Sequence, residues 1–194
     1  MVKQATLQSN KVPRIEDPIF ALDNFNIQNQ ITASPRRDRS EPVIDLAKPS
    51  IPTCICLDFE DLKCFEVVER QYERWGVIFD NSLAIQPSNP AFPCHSGLTV
   101  LMGAPKSGFL AATFLHPVNS VSAFVTSSQR LVVSAYDCDR QLLGQTVLPA
   151  ANLANSDSAI SPNTLLSITG NNIYSVTFCA FDGQFVLDDF RFCL

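Results

Sequence analysis

Apolar and polar residues alternate along most of this chain in short runs that stop at turn-forming residues. That period of two is the pattern of strands half-buried on a sheet. From Thr53 onward the runs Cys54–Asp58, Gly76–Phe79, Leu83–Ile85, Leu98–Met102, Phe109–His116, Ser120–Thr126, Arg130–Tyr136, Gln141–Leu148, Leu165–Thr169, Ile173–Ala180 and Gln184–Phe192 read as strands. Pro87-Ser-Asn-Pro90, Pro105-Lys-Ser-Gly108, Gly170-Asn-Asn172 and Asp182-Gly183 punctuate them. Phe181-Asp-Gly-Gln184 carries the strongest hairpin signal, and only Phe65–Arg74 suggests a helical turn or two. So many short strands with so little helix predict an all-β fold, a jelly-roll β-sandwich.

Residues 1–52 differ in composition. They hold six of the thirteen prolines and the polar run Ser34-Pro-Arg-Arg-Asp-Arg-Ser-Glu-Pro42. Such a segment buries too little apolar surface to offset the entropy of ordering it. It is expected to be a largely irregular, mostly flexible extension, with Ile19-Phe-Ala-Leu-Asp-Asn-Phe-Asn-Ile27 as an apolar patch able to dock. Residues 53–194 form the sandwich domain. The domain is acidic, with seven Lys/Arg against thirteen Asp/Glu from residue 51 on. Lacking basic clusters, it is not expected to bind nucleic acid. No stretch is long and apolar enough to span a membrane, and the start Met1-Val-Lys-Gln-Ala lacks the apolar run of a secretion signal. The chain therefore reads as soluble.

Two acidic phrases bracket the domain: Cys56-Leu-Asp-Phe-Glu-Asp-Leu-Lys-Cys64 and Val186-Leu-Asp-Asp-Phe-Arg-Phe-Cys193. Carboxylates inside strand-forming runs are costly unless cations or hydrogen-bond donors meet them. The economical reading brings the first and last strands together around these acids. Asp58, Glu60, Asp61, Asp188 and Asp189 then offer the oxygens of a hard cation, or else they capture backbone amides at a bend. Asp189 has Arg191 as a same-parity neighbour with which it can pair. All seven cysteines lie between 54 and 194. They fit either a disulfide framework in an oxidising compartment or buried thiols of a reduced one.

Together these phrases resemble a known family. Leu57-Asp-Phe-Glu-Asp-Leu62, Gln71-Tyr-x-x-x-Gly-Val-x-Phe79 and Leu187-Asp-Asp-Phe-x-Phe192 are similar to galactose-binding-like jelly-roll domains of bacterial, often exported, proteins. The Cys-x-x-Phe-Glu-x-x-x-Cys opening and Leu-Asp-Asp…Cys closing also resemble the MAM adhesion domains of animal cell surfaces. The resemblance implies a structural calcium held by Asp58 or Glu60 together with Asp188 or Asp189, a bridge between Cys56 and Cys64, and an exported or cell-surface setting. The expected partner is a carbohydrate or a protein ligand.

Catalytic signatures are absent. The two histidines are His95 and His116, and Cys94-His95-Ser96 cannot form a nucleophile–base pair on an extended chain, where neighbours point apart. Paired carboxylates for glycoside hydrolysis remain a weaker reading. A sugar site needs an aromatic platform with polar flanks, for which Trp75, Phe92 and Tyr136 are the candidates. The family resemblance implies that Tyr72 is core, and Asp137 and Asp139 are equally normal turn residues. The expectation is a non-enzymatic binding module for carbohydrate or another cell-surface-type ligand. A structural protein-interaction sandwich is the alternative.

Overall fold

A computed structural model describes residues 30–35, 54–103 and 108–194. The strands are β1 (Gln30–Ala33), β2 (Cys54–Leu57), β3 (Val67–Val68), β4 (Val77–Asp80), β5 (Ser82–Ile85), β6 (Val100–Gly103), β7 (Phe109–Ser127), β8 (Leu131–Tyr136), β9 (Leu142–Leu148), β10 (Thr164–Cys179) and β11 (Phe185–Cys193). They are hydrogen-bonded in the order β3-β5-β6-β11-β7-β10-β8-β9, with β2 carrying β1 beside β11, and β4 beside β7. The fold is the expected all-β sandwich. Among the described residues no helix is long and apolar enough to cross a membrane.

Two bent strands make the layers. In β7 the inward residues are Leu110, Ala112 and Phe114 in the first half, but Val121, Ala123 and Val125 in the second. The change of parity falls where the β7–β10 register shifts, next to Pro117 and opposite Gly170–Asn172. The first half of β7 pairs with β4 and the C-terminal half of β10, and the second half with β11 and the N-terminal half of β10. Strands that change layer at a bend are a standard way to close a sandwich. Each of the two strand pairs expected on either side of these breakers is thus one continuous strand.

The turn at 181–184 is not a hairpin. Strand β7 lies between β10 and β11, so this turn carries the chain from one layer to the other. Asp182 takes the positive φ there, 53°. The helical signal at Phe65–Arg74 resolves into the two-residue strand β3 and a single 3-10 turn, Glu73–Trp75.

The supposed extension contributes β1, which pairs in parallel with β2 and buries Ala33 in the core. Composition hid this strand, because the polar run that follows it dominated the reading. Trp75 helps hold it: the indole N–H donates to the Ser34 carbonyl at 2.8 Å, and Arg74 lies over the ring at 5.3 Å. The Ile19–Ile27 patch and the rest of the extension lie outside the described residues.

The core is rich in phenylalanine. Phe59, Phe79, Phe114, Phe190 and Phe192 pack with Tyr72, largely edge-to-face, as in the Phe79–Phe190 pair at 5.3 Å and 69°. Such contacts add about 0.5–1.5 kcal/mol each beyond burial. Tyr72 is core, as the family resemblance implies.

Candidate functional site

The two acidic phrases meet at one loop, residues 94–99, and the reason is a bulge. In β11 the inward residues are Phe185 and Leu187 before the aspartates, and Phe190 and Phe192 after them. The register with β7 breaks between Asp188 and Arg191, and Asp189 adopts φ 46°. A bulge that re-aims side chains in this way puts consecutive aspartates on the same, outer side of the sheet. Strict alternation would have set them on opposite faces.

The loop covers them. Asp188 is only 1% exposed. One of its oxygens accepts the backbone N–H groups of His95 (2.8 Å) and Ser96 (2.9 Å), and the other accepts that of Asp189 (2.8 Å). Asp189 accepts from the Ser96 hydroxyl (2.9 Å) and meets His95 Nδ1 at 2.9 Å. From the first phrase, Glu60 accepts the N–H groups of Leu98 (3.0 Å) and Thr99 (2.8 Å). Gly97 makes the approach possible. Its φ is 51°, and a Cβ there would lie 2.2 Å from the Glu60 carboxyl carbon. Burial pushes the Asp188 carboxyl above the ordinary carboxylate range, the nearby Asp189 charge adds to the rise, and the three N–H bonds oppose it.

Arg191 is not the partner of Asp189. It lies opposite Cys56 in the β2–β11 pair, beside that thiol, which burial nevertheless pushes up. Asp58 turns back on its own loop and accepts the Glu60 N–H at 3.3 Å.

The residues named for calcium do not fit a calcium cage. Calcium takes about six to eight oxygens converging on one point. Here Asp188, Asp189 and Glu60 direct theirs at N–H and O–H donors. Among the described residues no three His, Cys, Asp or Glu side chains gather in a metal-holding arrangement.

Ser96, His95 and Asp189 do not form a nucleophilic triad either. Serine and imidazole both bond the aspartate rather than each other, and the His95 ring stacks on Phe124 at 3.4 Å and 9°. In this arrangement the imidazole is turned to the aspartate and not to the hydroxyl.

The expected Cys56–Cys64 bridge is corrected. The disulfide joins Cys54 to Cys193, which face each other in the register of β2 and β11, while Cys56 and Cys64 are free. Cys56 is buried against Arg191 on the sheet, whereas Cys64 lies out in the loop, where its sulfur accepts the Gln86 N–H at 3.4 Å.

A cleft of about 470 Å³ opens beside the first acidic phrase, lined by Asp61, Lys63, Cys64, Phe65, Glu66 and Gln71 together with Pro35 and Leu62. Phe65 is 76% exposed and sits at φ 66°, a region that costs a bulky residue about 1–2 kcal/mol. The bond from its N–H to the Ala84 carbonyl, 2.7 Å, holds it there. Glu66 is fixed by Gln71 Nε2 (3.0 Å) and by the Lys63 N–H (2.9 Å).

None of Trp75, Phe92 and Tyr136 lines this cleft. Trp75 anchors β1, Phe92 lies in a loop turn closed on Asn89 O, and Tyr136 ends β8 opposite Ser175. Asp137 caps its own turn by accepting the Asp139 and Gln141 N–H groups. Phe65 was invisible to the sequence reading, because its exposure is set by how the loop is pinned to β5.

No protein-family model matches this chain, and no curated protein matches it. Among solved structures it is similar to a DUF4465 family protein from Bacteroides caccae, with 10% identity, 60% of this chain and 81% of that one covered, and a TM-score of 0.39. A second is the CBM22-1–GH10 part of xylanase 10B from Clostridium thermocellum, complexed with xylohexaose (13% identity, 66% and 27% covered, TM-score 0.36). A third is the CBM22-1 xylan-binding domain of Paenibacillus barcinonensis Xyn10C (13% identity, 66% and 89% covered, TM-score 0.32). These identities assign no ligand.

Proposed function

We propose that this chain is a non-catalytic carbohydrate-binding module whose ligand lies over Phe65. The observation that carries this reading is an exposed phenylalanine, held in a strained backbone conformation at the lip of an open cleft. Backbone strain that surrounding bonds maintain is characteristic of functional positions. A sugar presents an apolar face to such a ring, while its hydroxyls bond fixed polar groups at the rim. Asp61, Glu66, Gln71 and Lys63 supply those groups. Affinity electrophoresis and a glycan array, with xylo- and galacto-oligosaccharides among the probes, test it. Phe65→Ala should weaken binding at least about tenfold, the loss of one good aromatic contact, with an unchanged melting temperature. A wild-type protein silent across the array, or a variant that binds as well as wild type, would refute the assignment.

The acids around loop 94–99 serve, on this reading, as a hydrogen-bonded clamp rather than as a calcium site. A resident ion would stabilise the native state by mass action, about 2.7 kcal/mol at a hundredfold excess over its dissociation constant. The clamp predicts the same melting temperature in millimolar calcium and in EDTA. A calcium-dependent rise that Asp188→Asn abolishes would restore the metal reading.

A further inference from the structure

Strand β9 ends the hydrogen-bonded order of the sheet: it pairs with β8 on one side and, among the described residues, with no strand on the other. Unpaired edges template association unless they are short, charged, proline-bearing or strongly bulged. The opposite end of the order, β3, is two residues long. Strand β9 is seven, Leu142-Leu-Gly-Gln-Thr-Val-Leu148, with no charge and no proline. Leu142, Leu143 and Val147 are 53%, 42% and 37% exposed. The one shift in the pairing with β8 falls at Leu143: Leu142 pairs with Tyr136, and Gly144–Leu148 run in regular register with Ala135–Leu131.

The exposed face of this segment, Leu143, Gln145 and Val147, is symmetric about Gln145, while Leu148 lies in the core. Turned antiparallel onto itself, the strand sets Leu143 against Val147, with Gln145 facing its own copy. Gln145 already spends one amide hydrogen on the Ser134 hydroxyl, at 2.8 Å. Its second hydrogen and its carbonyl oxygen are what a facing glutamine needs for a reciprocal pair.

We propose that β9 pairs with β9 of a second copy about a two-fold axis through Gln145, joining the two sheets edge to edge. A strand of another protein would satisfy the backbone groups equally well. The self-matching order of apolar and polar side chains is what selects a second copy, and an isologous two-fold contact is the symmetry such a segment generates.

The test uses the full chain with the exposed free thiols removed (Cys64→Ser, Cys138→Ser). Directly opposed residues of an antiparallel pair lie about 4.5–5.5 Å apart, within disulfide reach. Gln145→Cys should therefore cross-link to a dimer on mild oxidation, far faster than Leu98→Cys, a control that is also exposed. Sedimentation velocity of the unaltered chain should show a concentration-dependent dimer. Val147→Lys should weaken it at least tenfold with an unchanged melting temperature. Cross-linking at Gln145→Cys no faster than at the control would overturn the proposal, as would a dimer that Val147→Lys leaves intact.

Discussion

Replacing both Cys54 and Cys193 with serine should lower the stability of the domain by about 5 kcal/mol, the loop-entropy value for a bridge that closes so long a segment. The two residues are 139 apart in sequence, so the bridge restrains nearly the whole unfolded chain of the domain. For a chain of this size the loss corresponds to a fall of roughly 10–20 °C in melting temperature. Urea titrations of oxidised protein and double variant, with mass mapping of the disulfide, make the comparison. A difference below about 1 kcal/mol, far under the entropic expectation, would mean that the strand pairing alone holds the ends.

The second large effect is expected at Asp188. Alanine there strands the N–H groups of His95, Ser96 and Asp189. The Asp189 N–H is buried and the other two are part-buried. A buried donor left without a partner costs about 1–3 kcal/mol, so the variant should lose about that much, and loop 94–99 should become open to proteolysis. Substitution without measurable loss would show that the clamp contributes nothing to folding.

The pH dependence is distinctive. Burial raises the native pKa of Asp188, and it raises that of Asp58 too. Between the unfolded value near 4 and the raised native value, the folded state holds a proton that the unfolded state has released. Stability then falls as pH rises through that window and is flat with respect to this group outside it. Wild type should therefore gain on Asp188→Asn, which cannot titrate, as pH drops through the window. Urea midpoints across mildly acidic pH decide this, and a constant or opposite difference contradicts the assignment.

Most strands could be read from the chain because a half-buried strand writes its period of two locally. Val176 and Phe178 in β10, and Ala180 just after it, are inward, as their alternation says. The meeting of the two acidic phrases was also legible, since buried carboxylates require partners and the amides of a bend were one of the two partners on offer. Other features depend on residues far apart in sequence. Strand β1 exists because β2 offers it an edge, so its own four residues carry no comparable signal. The disulfide follows the register of β2 against β11, which counting cysteines cannot supply. The bulge at Asp188–Asp189 reverses the inward parity of β11 and turns both acids toward one loop, against the alternation that the sequence shows. Phe65 became a candidate because tertiary bonds hold its loop open. The sequence by itself determined the strand periodicity, the acidic balance and the need of its buried carboxylates for partners, because each is a local property of side chains. Register, bulge, bridge and cleft were decided by the tertiary structure, because each is a relation between segments that only packing brings together.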